Sequence, residues 1–246
     1  MIFKNECYTT KNDMDMKTQN ENYLDFLDEF YMNLKELPIG NILNDPAKVA
    51  IVCVDVTNAF CRVGNLASER VAAIIDPIVR LFKMAWKKGL KKIILLNDCH
   101  TSHAKEFGAF GEHAVCGTIE SEMVDEIKSL EFYDEMKIIK KNSINPSQNT
   151  EFDSWVGKHP EITTFIVVGD CTDLCVYQAS MHLRTAANAV DIERRVIIPE
   201  VCVSTYDIQV ETAKDSPAEP HPADLIHKLF LHHMRLNGIE IYKKLS

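Results

Sequence analysis

The chain has 246 residues, of which 46% are hydrophobic, and its 36 acidic side chains outnumber 27 basic ones to give a formal net charge of -9. This length is sufficient for one large buried core, and the acidic balance argues against a nucleic-acid partner, which favours a basic face. No apolar run approaches the ~20 residues that span a bilayer, and the first residues carry no apolar signal region, so we expect a cytoplasmic protein with no membrane partner. In that compartment the eight cysteines are expected as thiols and not as a disulfide framework.

The first part of the chain, residues 1–46, is predicted to be an extension that contains one helix. Its apolar side chains recur at helical spacing between acidic residues over 23–34, which is typical of a packed helix. Pro38, Gly40 and Pro46 then interrupt the chain. We therefore predict that residues 47–246 form one separate domain.

Within this domain, short apolar runs alternate with helical patterns. Strands are predicted at 49–54, 93–96, 137–140, 162–168, 195–198 and, at the edge, 239–242. Helices are predicted at 67–88, 120–130, 152–159, 176–190 and 223–236. Polar segments at 98–117 and 206–222 are predicted as loops. The alternation predicts an α/β fold, a three-layer αβα sandwich around a central, mostly parallel, Rossmann-like sheet.

Four reactive side chains each follow a predicted strand, namely Asp55, Asp98, Lys141 and Cys175. Because the carboxyl ends of parallel strands share one edge of a sheet, these side chains should converge there. Each one alone is more simply explained as a cap, a salt bridge or a solvated charge. Taken together, they indicate a ligand site at this edge.

Cys175 is predicted at the start of a helix, after a buried strand and the tight turn of 169–174. The unpaired first amides of a helix carry the positive end of its dipole, so we expect them to lower the pKa of the thiol and activate it as a nucleophile. A buried structural cysteine is an alternative of about equal weight.

A cysteine nucleophile needs a base, and Asp55 is suited to that role if partial burial raises its pKa. Lys141 would hold the thiolate and the carboxylate in place and stabilise charge on the substrate. Backbone amides at Cys171 and Cys175 would form an oxyanion hole.

A second group of polar residues lies in the 98–117 loop. Its carboxylates and imidazoles are of the kinds that bind zinc, iron or manganese, and the candidates are Asp98, His100, His103, Glu106 and His113. Without further support, solvated loop residues are the simpler interpretation.

These residues resemble the isochorismatase-like cysteine hydrolases, the family that includes nicotinamidases, from about residue 49 to 242. The family's nucleophile motif G-x-x-T-D-x-C-V is complete over 169–176. Its D-x-x-x-x-F motif corresponds to 55–60, and its lysine motif corresponds to 139–143. The resemblance implies a catalytic triad of Asp55, Lys141 and Cys175. It also implies a cis peptide bond between Asp170 and Cys171, beside the oxyanion hole.

In the nicotinamidase branch, a metal lies beside the triad, but this sequence departs from the usual pattern because Ala104 stands where a histidine is common. Some members use a glutamate seven residues before the last histidine, a spacing that is present here. The resemblance therefore implies the ligand set Asp98, His100, Glu106 and His113. Phe60 and Phe110 match aromatic positions that sandwich the substrate ring, although ordinary core packing also explains them. Thr57 stands at a position where glutamine is frequent in the family.

The function implied is a cysteine amidohydrolase that converts a small carboxamide, nicotinamide or a related amide, into an acid and ammonia through a thioester. One divalent metal (Zn, Fe or Mn), no organic cofactor and a homo-oligomer, either a dimer or a tetramer, are implied with it. Two alternatives remain open, because Thr57 and Ala104 depart from the family pattern. The chain is a family hydrolase with another substrate, or it is a non-catalytic binding or regulatory module that retains the fold.

Overall fold

The computed structural model describes residues 16–214 and 219–246, and residues 1–15 of the predicted extension lie outside this part. The chain divides into two compact units, the first ending at Asn33 and the second spanning Leu34–Ser246. The described part of the first unit is the helix α1 (Met16–Met32). The predicted boundary at residues 46 and 47 stays a prediction. In the described ranges, no helix is both long and apolar enough to cross a membrane.

A parallel sheet forms the centre of the second unit. Its strands are β1 (Val49–Val54), β2 (Lys92–Asp98), β3 (Lys137–Lys141), β4 (Thr164–Asp170), β5 (Arg195–Pro199), β6 (Val203–Ser204) and β7 (Glu240–Tyr242). Their order is β3-β2-β1-β4-β5-β7, with the short β6 paired to β4, and each of these pairings is parallel. The predicted fold class, a three-layer αβα sandwich around a mostly parallel sheet, is confirmed.

Helices connect the strands. They are α2 (Asn58–Cys61), α3 (Glu69–Ala72), α4 (Ile75–Lys87), α5 (Phe107–Phe110), α6 (Asp125–Lys128), α7 (Phe152–Lys158), α8 (Cys175–Asn188), α9 (Val210–Ala213) and α10 (Ala223–Leu236). The predicted helix at 67–88 is two helices. Pro77 has no N–H to bond to the preceding turn, and α4 begins at Ile75, which places the proline in the first turn where that N–H is not needed.

Several short elements also differ from the sequence prediction. The predicted helix at 120–130 is a 3-10 turn at Ile119–Ser121 followed by the single turn α6. The segments predicted as loops contain the short helices α5 and α9, and residues 215–218 of the second loop lie outside the described part. Elements of one turn bury too few apolar side chains to show a helical period in the sequence.

The two central strands explain the long apolar runs in the sequence. Every residue of β1 and of β4 is buried, because helices cover both faces of the sheet. On one face, Ile51 and Cys53 pack with Ile78 and Phe82 of α4 in the main hydrophobic cluster. The burial of both faces fixes the strand register that positions the residues following each strand.

The order in which strands are added to the sheet reverses between β1 and β4. After β1, the chain adds β2 and β3 on one side of β1, and it then crosses over to add β4 and β5 on the other side. Such a switch point opens a crevice at the carboxyl ends of the strands. Gly169 allows the close approach, since it has a φ of +116° and an added Cβ would lie 1.9 Å from the Val54 carbonyl oxygen. Only glycine satisfies both conditions.

Replacement of Gly169 tests this close contact. We expect Gly169→Ala to lower the free energy of unfolding by about 3 kcal/mol or more, because the new methyl group would collide with the β1 backbone. Gly157→Ala is the matched control in α7, where an added Cβ has no atom within 4 Å. Urea unfolding of both variants measures the effect. Equal stability of the two variants would show that β1 and β4 are not so closely packed.

Candidate active site

Lys141 is the centre of the predicted strand-end group. Its Nζ lies 2.7 Å from Asp55 Oδ2 and 2.6 Å from Asp98 Oδ1, and it donates to Cys175 Sγ at 3.4 Å. Asp98 and Lys141 are register partners at the ends of β2 and β3. The ends of neighbouring strands therefore bring all four side chains together in a buried cluster.

Asp55 adopts an unusual backbone conformation directly after β1. Its φ is 54°, in the left-handed region that non-glycine residues adopt mainly at functional or strained sites. Its Oδ1 accepts a hydrogen bond from the Asp98 amide at 2.7 Å, while Oδ2 faces Lys141. Burial and the charge of Asp98 raise the pKa of Asp55 to about 7, although Lys141 acts in the opposite direction. This carboxyl group can therefore exchange a proton near neutral pH.

Cys175 is the first residue of α8 and is buried. The prediction that the helix start lowers its pKa is wrong. Burial raises the pKa of the Cys175 thiol well above its ordinary value, and Asp55 and Asp98 add to the increase that Lys141 opposes. The first turn of a helix does not outweigh burial beside two carboxylates. The resting side chain is therefore a neutral thiol.

The turn between β4 and α8 is compact. The peptide bond between Asp170 and Cys171 is cis. The Cys171 carbonyl accepts hydrogen bonds from the amides of Leu174 and Val176, and the Thr172 amide donates to Ser204 in β6. Burial raises the pKa of Asp170 well above its usual range, which favours a neutral carboxyl group. This turn determines where Cys175 enters the crevice.

A small, partly open cavity lies next to the cluster. Cys171, Leu174 and Cys175 line it, and the predicted substrate-binding residues Phe60 and Phe110 line it too. Each phenylalanine meets the ring of His113 edge-on, with centroids 5.7 Å and 6.5 Å away. The cavity is apolar with a few polar groups, as is typical of sites for small molecules.

The predicted metal ligands also lie together. One donor atom from each of Asp98, His100, Glu106 and His113 lies within 4.8 Å of the others. His100 Nε2 is 3.5 Å from Asp98 Oδ1 and 3.9 Å from Glu106 Oε1. The further candidate His103 is not a member of this set.

The hydrogen bonds of the two histidines fit a cation. His100 Nδ1 is 3.1 Å from Asn142 Oδ1 and His113 Nδ1 is 2.9 Å from the Gly111 carbonyl oxygen. Both oxygens accept, so each Nδ1 donates and each Nε2 presents a lone pair. The two Nε2 atoms face each other at 3.1 Å. Two lone pairs so close repel each other unless a proton on one ring or a metal ion lies between them. Because two carboxylates accompany the two imidazoles, the donor set fits a divalent metal.

The loop that carries these histidines contains a disulfide bond, between Cys99 and Cys116. The expectation that the cysteines are thiols is wrong for this pair, whereas Cys53, Cys61, Cys171, Cys175 and Cys202 are free. The loop returns on itself, so that His100 exchanges backbone hydrogen bonds with Ala114 and Cys116. Cys99 and Cys116 are 17 positions apart, and no periodic pattern in the sequence predicts that they meet.

Sequence reasoning missed two residues at the site. Asn142 orients His100, and its position directly after Lys141 was an available signal. Tyr206 lines the cavity beside Cys175, but it lies in a segment whose polar composition predicted only a loop. Its place depends on how that segment folds back on the turn before α8.

Comparison with known proteins gives consistent matches. Residues 49–238 match the family model described as the Isochorismatase domain. The chain is 28% identical over 233 residues to Nicotinamidase 1 of Arabidopsis thaliana, covering 86% of this chain and 94% of that protein.

Solved structures share the fold. The cysteine hydrolase from Pseudomonas syringae pv. phaseolicola 1448A matches with a TM-score of 0.66 and 18% identity, covering 85% of this chain and 92% of that one. N-carbamoylsarcosine amidase from Thermoplasma acidophilum matches with a TM-score of 0.59 and 22% identity, covering 80% and 96%.

The charge balance around Lys141 can be tested by its removal. We expect Lys141→Met to lower the free energy of unfolding by about 3 to 5 kcal/mol at neutral pH, because two buried carboxylates lose their cation. The loss should shrink as the pH falls and these carboxyl groups take up protons. Lys140→Met, at the exposed neighbouring position, is the control for unfolding in urea. Equal stability of both variants at neutral pH would contradict the ion cluster.

Proposed function

The chain belongs to the isochorismatase family, and on that premise we propose that it is a cysteine-dependent amidohydrolase of a small carboxamide, nicotinamide or a related amide. The observation that carries the proposal is one buried ammonium, Lys141, in contact with both Asp55 and Cys175. The relative named as a nicotinamidase supports the substrate class.

The first half of the reaction forms a thioester. Cys175 Sγ attacks the carbonyl carbon of the amide while Asp55, with its raised pKa, takes the thiol proton. Negative charge moves to the carbonyl oxygen, where the backbone amides of Cys171 and Cys175 serve as the oxyanion hole. Asp55 then gives the proton to the leaving nitrogen, the C–N bond breaks and ammonia departs.

The second half consumes water. Asp55 removes a proton from water, whose oxygen attacks the thioester carbonyl, and the C–S bond breaks as the thiol regains its proton. The products are the carboxylic acid and ammonia. Burial alone would lower the pKa of Lys141, but Asp55 and Asp98 raise it well above the ordinary value, so Lys141 remains charged throughout.

We assign one divalent metal, zinc, iron or manganese, to Asp98, His100, Glu106 and His113, and no organic cofactor to the chain. When bound, the ion would supply a coordination position for a heteroatom of the substrate. Phe60 and Phe110 would contact the faces of a flat substrate ring. Homo-oligomeric assembly and cytoplasmic location remain predictions; light scattering tests the first.

The raised pKa of the Cys175 thiol favours a second candidate, a binding or regulatory module that retains the fold without turnover. The two candidates differ in one observable, the release of ammonia from an amide. A family hydrolase with a different amide would release ammonia from another member of a carboxamide panel.

Ammonia release from a carboxamide panel tests the nucleophile. We expect activity in the wild-type protein and a complete loss in Cys175→Ala, because no other side chain replaces the attacking sulfur. Cys202→Ala is the control, since it removes a thiol that is equally buried but does not line the cavity. Turnover that survives in Cys175→Ala would contradict the mechanism. A panel without any turnover would favour the binding module.

Metal analysis tests the ligand set. We expect the purified protein to carry a single divalent ion per chain, and His113→Ala to bind it at least about tenfold more weakly. His103→Ala, in the same loop but outside the ligand set, should bind it as the wild type does. Inductively coupled plasma mass spectrometry after dialysis against a graded chelator gives the readout. Equal retention by both variants would exclude His113 as a ligand.

A further inference from the structure

His221 lies next to the turn between β4 and α8, residues 171–174, which we call the nucleophile turn, and the mechanism above does not use this histidine. His221 immediately precedes Pro222 and α10, and its ring is mostly buried. Its Nε2 lies 2.8 Å from Asp173 Oδ2, and its Nδ1 lies 2.8 Å from the Tyr206 carbonyl oxygen. One ring thus joins the turn before Cys175 to the segment that carries Tyr206.

The geometry determines the protonation state of this ring. A backbone carbonyl and a carboxylate only accept hydrogen bonds, so both ring nitrogens of His221 must donate. Only the imidazolium carries two N–H groups. The ring also stacks on the phenol of Tyr206, with centroids 3.9 Å apart and planes at 17°, a contact that favours a cation.

We propose that His221, as the imidazolium, is a positioning residue that fastens the Tyr206 wall of the cavity to Asp173 in the nucleophile turn. The neutral ring has one N–H group and must release one of its two partners. Loss of the proton from His221 therefore weakens the attachment of Tyr206 to this side of the cavity. This inference rests on the proposed function, since Tyr206 and Cys175 line the same cavity.

Other hydrogen bonds also hold the segment around Tyr206 in place. Asp173 Oδ1 accepts a hydrogen bond from the Thr205 hydroxyl at 2.6 Å. Ile208 and His221 exchange backbone hydrogen bonds of 3.0 Å and 2.7 Å. Thr205 thus connects the chain just before Tyr206 to Asp173, and the side chain of His221 supplies a second connection to the same carboxylate from the other side of Tyr206.

The charges that face His221 favour its cationic form. Burial lowers the pKa of His221, but the hydrogen bond and the charge of Asp173 raise it above the ordinary value. The Asp207 carboxylate also acts on this ring, and Arg70 acts on Asp207. The phenol of Tyr206, whose pKa is raised to about 12 mainly by burial, stays neutral. The imidazolium should therefore persist above pH of about 6.5 and disappear as the pH rises further.

The experiment compares His221→Gln with His182→Gln. Glutamine keeps a side-chain donor but carries no charge. His182 also pairs with an aspartate, 2.6 Å from Asp153, but on the surface of α8. For His221→Gln, we expect the KM for nicotinamide to rise about tenfold, as for loss of a hydrogen bond to a charged group, with kcat within about threefold. Over the pH range in which the wild-type KM rises, the KM of His221→Gln should stay constant.

NMR titration of the His221 ring separates this inference from the proposed function. We expect a pKa above about 6.5 in the wild-type protein, and a fall in Asp173→Asn. The titration needs no turnover, so failure to hydrolyse nicotinamide would count against the proposed substrate and not against the link. A ring with an ordinary or lowered pKa, or an unchanged KM and pH profile in the folded His221→Gln, would overturn the positioning role.

Discussion

The structure depends on one buried ammonium shared by two carboxylates and a thiol. Lys141 contacts Asp55 and Asp98 within 2.7 Å and Cys175 at 3.4 Å. With both carboxyl groups ionised, the cluster is already negative before the thiol loses its proton. Because an uncompensated buried charge is costly, the sulfur keeps its proton at rest. In the mechanism that we propose, the thiol loses its proton only as a substrate carbonyl takes up the negative charge.

The parallel sheet makes this cluster possible. Three of its members follow or end strands whose register is fixed by burial on both faces, and the fourth begins the helix after β4. Gly169 allows the backbones of β1 and β4 to approach at the point where the strand order reverses. The fold therefore concentrates groups that are far apart in sequence at one crevice, which the histidine-bearing loop also borders.

The sequence predicted those parts of the site that depend on local pattern. Alternating apolar runs indicated where the strands end, and so placed Asp55, Asp98 and Lys141 at one edge. The features it missed depend on chain closure over long distances. The disulfide of Cys99 and the link from His221 to Asp173 arise where a polar segment folds back on the domain. No hydrophobic pattern in the sequence predicts where such a segment folds back. The pKa of Cys175 was predicted in the wrong direction, because the helix start was visible in the sequence and the burial beside two carboxylates was not.

The most direct test is the protonation state of Cys175 in the substrate-free protein. Thiolate absorbance in the ultraviolet, taken as the difference between the wild type and Cys175→Ala over a pH titration, measures it. We predict no thiolate signal from this residue at neutral pH, and its appearance only in alkaline solution. A full thiolate signal at neutral pH would contradict the charge balance that we assign to Lys141 and its two carboxylates.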